Sequence, residues 1–246
     1  MALKEELEKE GNWLFRWRSY LPLLLTGIFL VGMRDFKYLC HNHKWDLFWE
    51  TSCLLVSFFG LGIRVYVAGH TQEGTSGRNT HEQKALFLNV TGLFSIVRHP
   101  LYLGNFFIWT GISMFVRLWW LSLLCVLIFW LYYERIIFAE EEFLRRNFGK
   151  EFEEWSNDTP CFIPRFSKWK RPKISFSLTK AMKDEYSGFF GIIASFTFLK
   201  VVGNFMIKGT FEVDWHWVLM FFIGLSIYLI LRTLKKKGLL NKASHS

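Results

Sequence analysis

Apolar residues along this chain come in long blocks that are separated by charged or polar stretches. The clearest blocks are 47–67, 101–133, 186–207 and 215–231. Because a helix needs about 20 apolar residues to cross a hydrocarbon core of about 30 Å, these blocks predict membrane-spanning helices. A shorter block at 20–33 contains Pro22 and is the weakest predicted span, so it fits a helix that lies partly in the interface.

The block 101–133 is too long for one span. As a single helix its 33 residues would extend about 50 Å, which exceeds the hydrocarbon core by about 20 Å. Its only charged residue is Arg117, and a hairpin of two short spans that turns near Arg117 fits better. The chain is therefore predicted to be an all-α polytopic membrane protein with about five to six transmembrane helices.

The charges that flank these blocks predict the orientation in the membrane. The segment 134–184 holds 11 Lys and Arg residues, and the 15-residue tail 232–246 holds five cations and no acid. The loop 208–214 holds one cation, Lys208. Because cytoplasmic loops carry the Lys/Arg excess, 134–184, the tail and both termini are predicted on the cytoplasmic side. The cations follow the span ends, so nucleic-acid binding is not predicted.

Composition excludes several other classes of protein. With 51% hydrophobic and 19% aromatic residues, the chain does not fit a disordered, collagenous or disulfide-rich protein. Its four cysteines form no C-x-x-C pair, and the loop group Cys40, His41 and His43 lacks a clean fourth ligand. No metal centre is therefore predicted. The mixed-charge start at 1–10 does not indicate a secretory signal.

The pattern divides the chain into three regions. Residues 1–45 are predicted to be an amphipathic lead-in followed by the first short span, and 46–166 to form the core. Residues 167–246 are predicted to be a basic linker, a C-terminal transmembrane hairpin and a basic tail.

Candidate chemistry lies at both ends of the predicted hairpin in 101–133. Arg98, His99 and Pro100 precede it, and proline suits a helix start, where the backbone favours anions. The carboxylates Glu140 and Glu141 follow its return. Because the two ends of a hairpin are neighbours, these groups are expected to form one pocket, although a basic anchor and a solvated acidic face are also compatible with the pattern.

Two charges interrupt the block 47–67. Glu50 and Arg64 are 14 residues apart, about 21 Å along a helix, so they cannot pair with each other. Arg64 either extends to the interface or faces a polar cavity, where charges inside membranes usually lie.

The residues 98–104 (RHPLYLG), the run 139–155 (AEEEFLRRNFGKEFEEW) and the pair Ile163 and Pro164 together resemble the integral-membrane methyltransferases. This family contains isoprenylcysteine carboxyl methyltransferases and phospholipid N-methyltransferases. The resemblance covers roughly residues 60–166. It implies S-adenosylmethionine as methyl donor, a cofactor pocket on the cytoplasmic side and a lipid or lipidated substrate that arrives from the bilayer.

By position, the resemblance implies a set of cofactor-binding residues. They are His99, Pro100, Tyr102, Gly104, Glu140 and Glu141. Arg98, His99 and Arg64 are the candidate catalytic residues. Phe152 and Trp155 stand where the family often has tyrosines, so packing is expected there in place of hydroxyl contacts.

The acceptor is left open between a lipid phosphate, a phospholipid amine and a prenylcysteine carboxylate. An anionic oxygen needs no base, whereas an ammonium must first lose a proton, to a glutamate or to His99. The cations Arg98, Arg64 and Arg135 slightly favour an anionic acceptor. Two alternative functions are a membrane sterol-type NADPH reductase, which usually has Asn where this chain has Leu101, and a non-catalytic membrane scaffold. The oligomeric state is not predicted.

Overall fold

The structure is a computed structural model that describes residues 2–18, 20–36, 43–72 and 85–242. Within these ranges the chain forms α-helices and short 3-10 turns, and no β-strand. The α-helices are α1 (Leu3–Trp17), α2 (Leu21–Gly32), α3 (His43–Gly69), α4 (Pro100–Phe115), α5 (Trp119–Phe148), α6 (Lys150–Asp158), α7 (Leu178–Lys208), α8 (Trp215–Lys236) and α9 (Leu239–Lys242).

Four of these helices, α3, α5, α7 and α8, are long and apolar enough to cross a membrane. The predicted all-helical membrane fold is therefore confirmed. The count of five to six spans is approximate, because α2 and α4 have only 12 and 16 residues. At 1.5 Å per residue they extend about 18 Å and 24 Å, less than the thickness of the hydrocarbon core.

The predicted hairpin turns at Arg117. Helix α4 ends at Phe115 and α5 begins at Trp119, and Arg117 between them has a φ of 66°. This left-handed conformation is uncommon for residues other than glycine. The turn directs the Arg117 side chain inward, where its guanidinium pairs with Asp46 at 2.9 Å and with Glu50 at 3.1 Å.

Helices α3 and α4 cross at very short distance through glycines. A Cβ added at Gly60 would lie 2.3 Å from the Gly104 carbonyl oxygen, and one added at Gly111 would lie 2.5 Å from the Cys53 carbonyl oxygen. Only glycine permits this approach of two backbones. The crossing fixes Arg64, one turn beyond Gly60, against the start of α4.

Helix α7 begins at Leu178, eight residues before the predicted span at 186. Ser177 caps it by accepting a hydrogen bond from the Lys180 backbone. The Lys180 side chain is buried, and its Nζ donates to the Ala68 carbonyl oxygen at 2.7 Å and to Thr71 at 3.0 Å. The charged start of α7 is therefore held against the end of α3, which the hydropathy pattern does not reveal.

A buried ionic cluster joins the opposite end of α7 to the hairpin. Lys200 Nζ lies 2.7 Å from Glu50 Oε1, the carboxylate that also pairs with Arg117. Trp217 of α8 donates an indole hydrogen bond of 3.3 Å to the other Glu50 oxygen. As predicted, Glu50 and Arg64 do not pair with each other, since each has partners at its own end of α3.

The amphipathic lead-in forms α1 and packs antiparallel along the second half of α5. A Cβ added at Gly11 would lie 2.2 Å from the Arg135 carbonyl oxygen, so the two helices are in backbone contact. Ion pairs link Lys4 to Glu142, and Glu10 to Arg135, each at 2.8 Å. Helix α1 therefore covers the part of α5 from which the predicted site carboxylates project.

Candidate functional site

The start of α4 and the later part of α5 meet, as the hairpin pattern predicts. His99 Nε2 lies 2.9 Å from Glu141 Oε1, and His99 Nδ1 lies 3.6 Å from Glu140 Oε2. The imidazole is buried and has one carboxylate near each ring nitrogen. Residues 98–104 and Glu140 with Glu141 therefore share one niche at one end of the helix bundle.

The two contacts with Glu140 and Glu141 set the direction in which the pKa of His99 shifts. Burial alone would lower the pKa of His99, but the carboxylates of Glu140 and Glu141 outweigh it and raise the pKa above the usual value of 6.5. An imidazolium between two carboxylates offsets part of their mutual repulsion. His99 thus contacts both carboxylates of the pair, and its role as a catalytic residue stays a prediction.

Arg98 ties the niche to the last turn of α6 and to the segment that follows it. Its Nε lies 2.8 Å from Glu141 Oε1, and its Nη1 donates to the Ser156 carbonyl oxygen at 2.7 Å. The Arg98 backbone N–H donates to the Pro160 carbonyl oxygen at 2.9 Å. Arg98 therefore fixes the orientation of Glu141, and its charge is compensated there.

Tyr102 supports the niche from within α4. Its ring stacks on His99 with centroids 5.6 Å apart and an interplanar angle of 14°, and it packs on Tyr133 at 4.8 Å. Pro100 occupies the first turn of α4, where its fixed φ suits the helix start. A Cβ at Gly104 would meet Arg64 and Gly60 at 2.7 Å, so this glycine faces α3. Its contact with a cofactor stays a prediction.

Glu140 carries the acceptor atom that best fits a ligand. Its Oε2 is buried and accepts no hydrogen bond from the described residues, since His99 Nδ1 lies at 3.6 Å, and 25% of the Glu140 side chain is exposed. A buried acceptor that receives no hydrogen bond is rare in native proteins, so a bound donor group is expected to supply one. An ammonium or a sugar hydroxyl would satisfy it, and both belong to S-adenosylmethionine, so the residues present fit that cofactor.

Arg64 lies in a second polar cluster, one helix layer deeper. Its guanidinium binds Glu185 of α7 in a bidentate ion pair, with distances of 2.8 Å and 2.9 Å, and donates to Asn105 at 2.6 Å. Asn105 in turn donates to the Tyr133 hydroxyl at 2.8 Å. Of the two predicted positions for Arg64, the interface and a polar cavity, the structure shows the cavity. Glu185 compensates the charge of Arg64 there.

Three possible metal-ligating atoms approach each other in the niche. The ligand atoms of His99, Glu141 and Cys161 lie within 4.8 Å of one another. Burial first, and then the Glu141 charge, raise the pKa of the Cys161 thiol, so the thiolate needed for metal binding is disfavoured. Arg98 already supplies positive charge to Glu141. Of the loop group, Cys40 and His41 lie outside the described residues, as does the His43 side chain.

The residues after the carboxylate pair have structural contacts. Glu142 is buried and binds Lys4 of α1 at 2.8 Å, so it anchors α1. Phe152 is fully buried, which agrees with the expected packing role. Trp155 also donates a hydrogen bond of 3.0 Å to the Phe94 carbonyl oxygen, just before the niche.

Several residues near the niche are not recognisable from the sequence. Asn105 directly follows Gly104 and differs from its neighbours only in being polar within an apolar block. Glu185 lies in the charged stretch before the last hairpin, and Arg18 in the lead-in, where charges are expected in solvent. Only the packing of α1 and α7 on the core brings Arg18 and Glu185 to this region.

Comparison with known proteins agrees with this geometry. Residues 54–151 match the phospholipid methyltransferase family. The protein-S-isoprenylcysteine O-methyltransferase of Schizosaccharomyces pombe is 32% identical over 162 residues, which cover 60% of this chain and 67% of that protein. The chain belongs to this membrane methyltransferase family. The matched region of the family contains Arg64, the niche residues 98–104 and both carboxylates of the pair.

Two bacterial proteins are also similar to this member of the membrane methyltransferase family. The nickel-cobalt-cadmium resistance protein NccN of Alcaligenes xylosoxydans xylosoxydans is 33% identical over 156 residues. The cobalt-zinc-cadmium resistance protein CzcN of Cupriavidus metallidurans is 31% identical over 156 residues. In both cases the match covers 63% of this chain, and it spans 65% and 64% of the relatives, just under two thirds. No solved structure matches the chain significantly.

Proposed function

We propose that this protein is an S-adenosylmethionine-dependent integral-membrane methyltransferase that methylates the polar head of a lipid or lipidated substrate. The observation that carries the proposal is the niche in which His99 meets Glu140 and Glu141, and in which the buried Glu140 Oε2 accepts no hydrogen bond from the described residues. It lies where two distant parts of the sequence meet, in the region matched by the family. The acceptor is a lipid phosphate, a phospholipid amine or a prenylcysteine carboxylate.

The carboxylates are the groups that bind the donor in this proposal. Glu140 accepts from the ammonium or a ribose hydroxyl, and Glu141, which Arg98 orients, completes the same wall. His99 and Tyr102 hold the two carboxylates in position. When bound, the sulfonium supplies an activated methyl group for in-line displacement, so the protein contributes mainly by alignment, which is worth up to about 7–11 kcal/mol.

We further propose that the end of the bundle with the niche faces the cytoplasm. The ends of α3, α5 and α8 and the start of α7 lie at this end, and Lys235 donates to the Lys183 carbonyl oxygen there at 3.1 Å. The cation-rich segment 134–184 and the basic tail therefore share one side, as the positive-inside rule requires. Single cysteines introduced at Lys237 and at Glu212 test this, since only the former should react from the cytoplasmic side.

Binding of S-adenosylhomocysteine to the purified protein tests the donor site. Glu140→Gln removes the charge but keeps the shape. Because a hydrogen bond to a charged group is worth about 1.5–3 kcal/mol, we expect the Kd to rise about 10- to 100-fold in titration calorimetry. Glu154→Gln is the matched control, because Glu154 is exposed on α6 and should leave the Kd unchanged.

Two outcomes of this titration would contradict the proposal. Binding of NADPH without binding of S-adenosylhomocysteine would indicate the reductase, and binding of neither would indicate a scaffold. An unchanged Kd in Glu140→Gln would remove the role of that carboxylate. Mass spectrometry of lipid extracts after incubation with labelled donor then identifies the methylated acceptor.

A further inference from the structure

A cavity of about 490 Å³ lies between α2, α3, α4, α5 and α7, next to the niche. Its volume is within the range of ligand pockets. One part is apolar and is lined by Phe29, Ile108, Ile112, Ile192 and Leu199. The other part is polar and is lined by Arg18, Arg64, Asn105 and Tyr133. A molecule with an apolar chain and a polar head matches this division.

The arginines that the sequence indicates for an anionic acceptor are already compensated by carboxylates. Arg64 is held by Glu185 in a bidentate pair, so the two charges cancel. Arg98 is held by Glu141 in the donor niche. Arg135 binds Glu10 on the surface between α1 and α5, at 2.8 Å. These three residues therefore do not account for recognition of an anion in the cavity.

Arg18, at the end of α1, is different. Its guanidinium carbon lies 3.9 Å from the centroid of the Phe15 ring, which holds the group in place over the aromatic face. Its Nη1 is buried and donates no hydrogen bond to any residue that the structure describes. Arg18 lines the polar part of the cavity together with Arg64, Asn105 and Tyr133. A buried cationic donor without an acceptor is costly, and a ligand oxyanion would satisfy it.

We propose that this cavity is the acceptor site, that its apolar part takes the acceptor's hydrocarbon chain, and that Arg18 binds an oxyanion of the acceptor head. This inference rests on the proposed methyltransferase function and specifies its substrate class. The acceptor is an amphiphile with a carboxylate or a phosphate at the end of its apolar chain. Arg18 is the specificity-determining residue, and Glu185 keeps Arg64 from competing for the anion.

The test compares pairs of amphiphiles that share one apolar chain and have an anionic or a neutral head, with the protein in nanodiscs of neutral lipid. N-acetyl-S-farnesylcysteine is compared with its methyl ester, and dodecyl phosphate with dodecanol. We expect at least one anionic member to bind the protein at least tenfold more tightly than its neutral partner. The carboxylate and phosphate pairs distinguish between the two sources of the oxyanion.

Substitution of Arg18 then tests the assignment. Arg18→Gln should abolish the preference for the anionic member, while the Kd for S-adenosylhomocysteine changes less than twofold. Arg18→Lys should retain part of the preference, because it keeps the charge but loses the planar fork. Arg16→Gln, on the exposed side of the same helix, should retain the full preference.

A second variant keeps the test valid if the Arg18 variants do not fold. Ile112→Trp fills the apolar part of the cavity and should weaken both members of each pair by a similar factor. The inference fails if wild-type protein shows no preference for either anionic member, if Arg18→Gln keeps the preference, or if Arg18→Gln weakens the donor instead. In the last case Arg18 binds the donor carboxylate. If the wild-type protein does not bind S-adenosylhomocysteine, the proposed function itself is contradicted, whatever the acceptor titrations show.

Discussion

Replacing Gly104 by alanine separates two roles that this residue can have in the niche. By family resemblance Gly104 contacts the cofactor, whereas the structure shows it facing α3. A Cβ there would lie 2.7 Å from the Gly60 carbonyl oxygen and from Arg64 Cγ. Nonbonded heavy atoms normally stay about 3.5 Å apart, so the overlap is a large fraction of an ångström.

The cost of this overlap can be estimated from the identity of the neighbours. The Arg64 side chain is held by Glu185 and the Gly60 oxygen belongs to the backbone, so neither atom moves freely. Overpacking of this kind costs about 1–3 kcal/mol. At roughly 2–4 °C per kcal/mol for a chain of this size, the Tm of Gly104→Ala should fall by about 2–12 °C.

Thermal unfolding in detergent, together with S-adenosylhomocysteine titration at low temperature, measures both roles. Gly62→Ala, on the facing helix α3, is the matched control, since a Cβ at Gly62 would meet no described atom of a neighbouring helix or loop within 4 Å. That variant should be neutral or more stable by up to about 1 kcal/mol. An unchanged Tm in Gly104→Ala, combined with lost donor affinity, would refute the packing argument and support the cofactor contact.

Three further predictions concern Glu50, His99 and Cys161. Glu50→Gln removes the carboxylate that Arg117 and Lys200 share, while Asp46 and Asp214 still pair with them, so unfolding in detergent should show a loss of about 1–3 kcal/mol; wild-type stability would contradict this. Because carboxylates raise the pKa of His99, its stabilising charge is complete below about pH 6.5 and is lost as the pH rises through the raised pKa. The wild-type Tm should fall over that range more steeply than that of His99→Gln, and equal slopes would disprove the contribution. Cys161→Ser and chelator treatment should leave S-adenosylhomocysteine affinity unchanged, and affinity that depends on added Zn²⁺ would show that the cluster binds metal.

The local pattern predicts most of the helices because hydropathy and length act within one segment. The turn at Arg117 follows from the excess length of one apolar block, and α3 follows from the block 47–67, whose length suits one span. The start of α7 could not be predicted in this way. Lys180 donates to the Ala68 carbonyl oxygen of α3, and Arg64 of α3 compensates the charge of Glu185, and both partners lie more than 100 residues away.

Some residues of the niche could likewise be predicted from the sequence, whereas others depend on the tertiary structure. His99, Glu140 and Glu141 are predictable together, since a hairpin brings its two ends close whatever surrounds it. The roles of Arg64 and Gly104 depend on which helix packs opposite them. Pairing of Arg64 with Glu185 requires α7, and the direction that Gly104 faces is set by the glycine crossing with α3.

The amino-acid sequence by itself determined that the chain is a helical membrane protein. It also determined which segments between the apolar blocks carry positive charge, and which residues meet at the two ends of the hairpin. These properties depend on transfer of side chains to the bilayer and on connections between adjacent segments. Only the tertiary structure decided which charges are compensated and that Arg18 joins the cavity. The physical reason is that compensation requires atoms within about 3–4 Å, and contacts between distant segments depend on how whole helices pack.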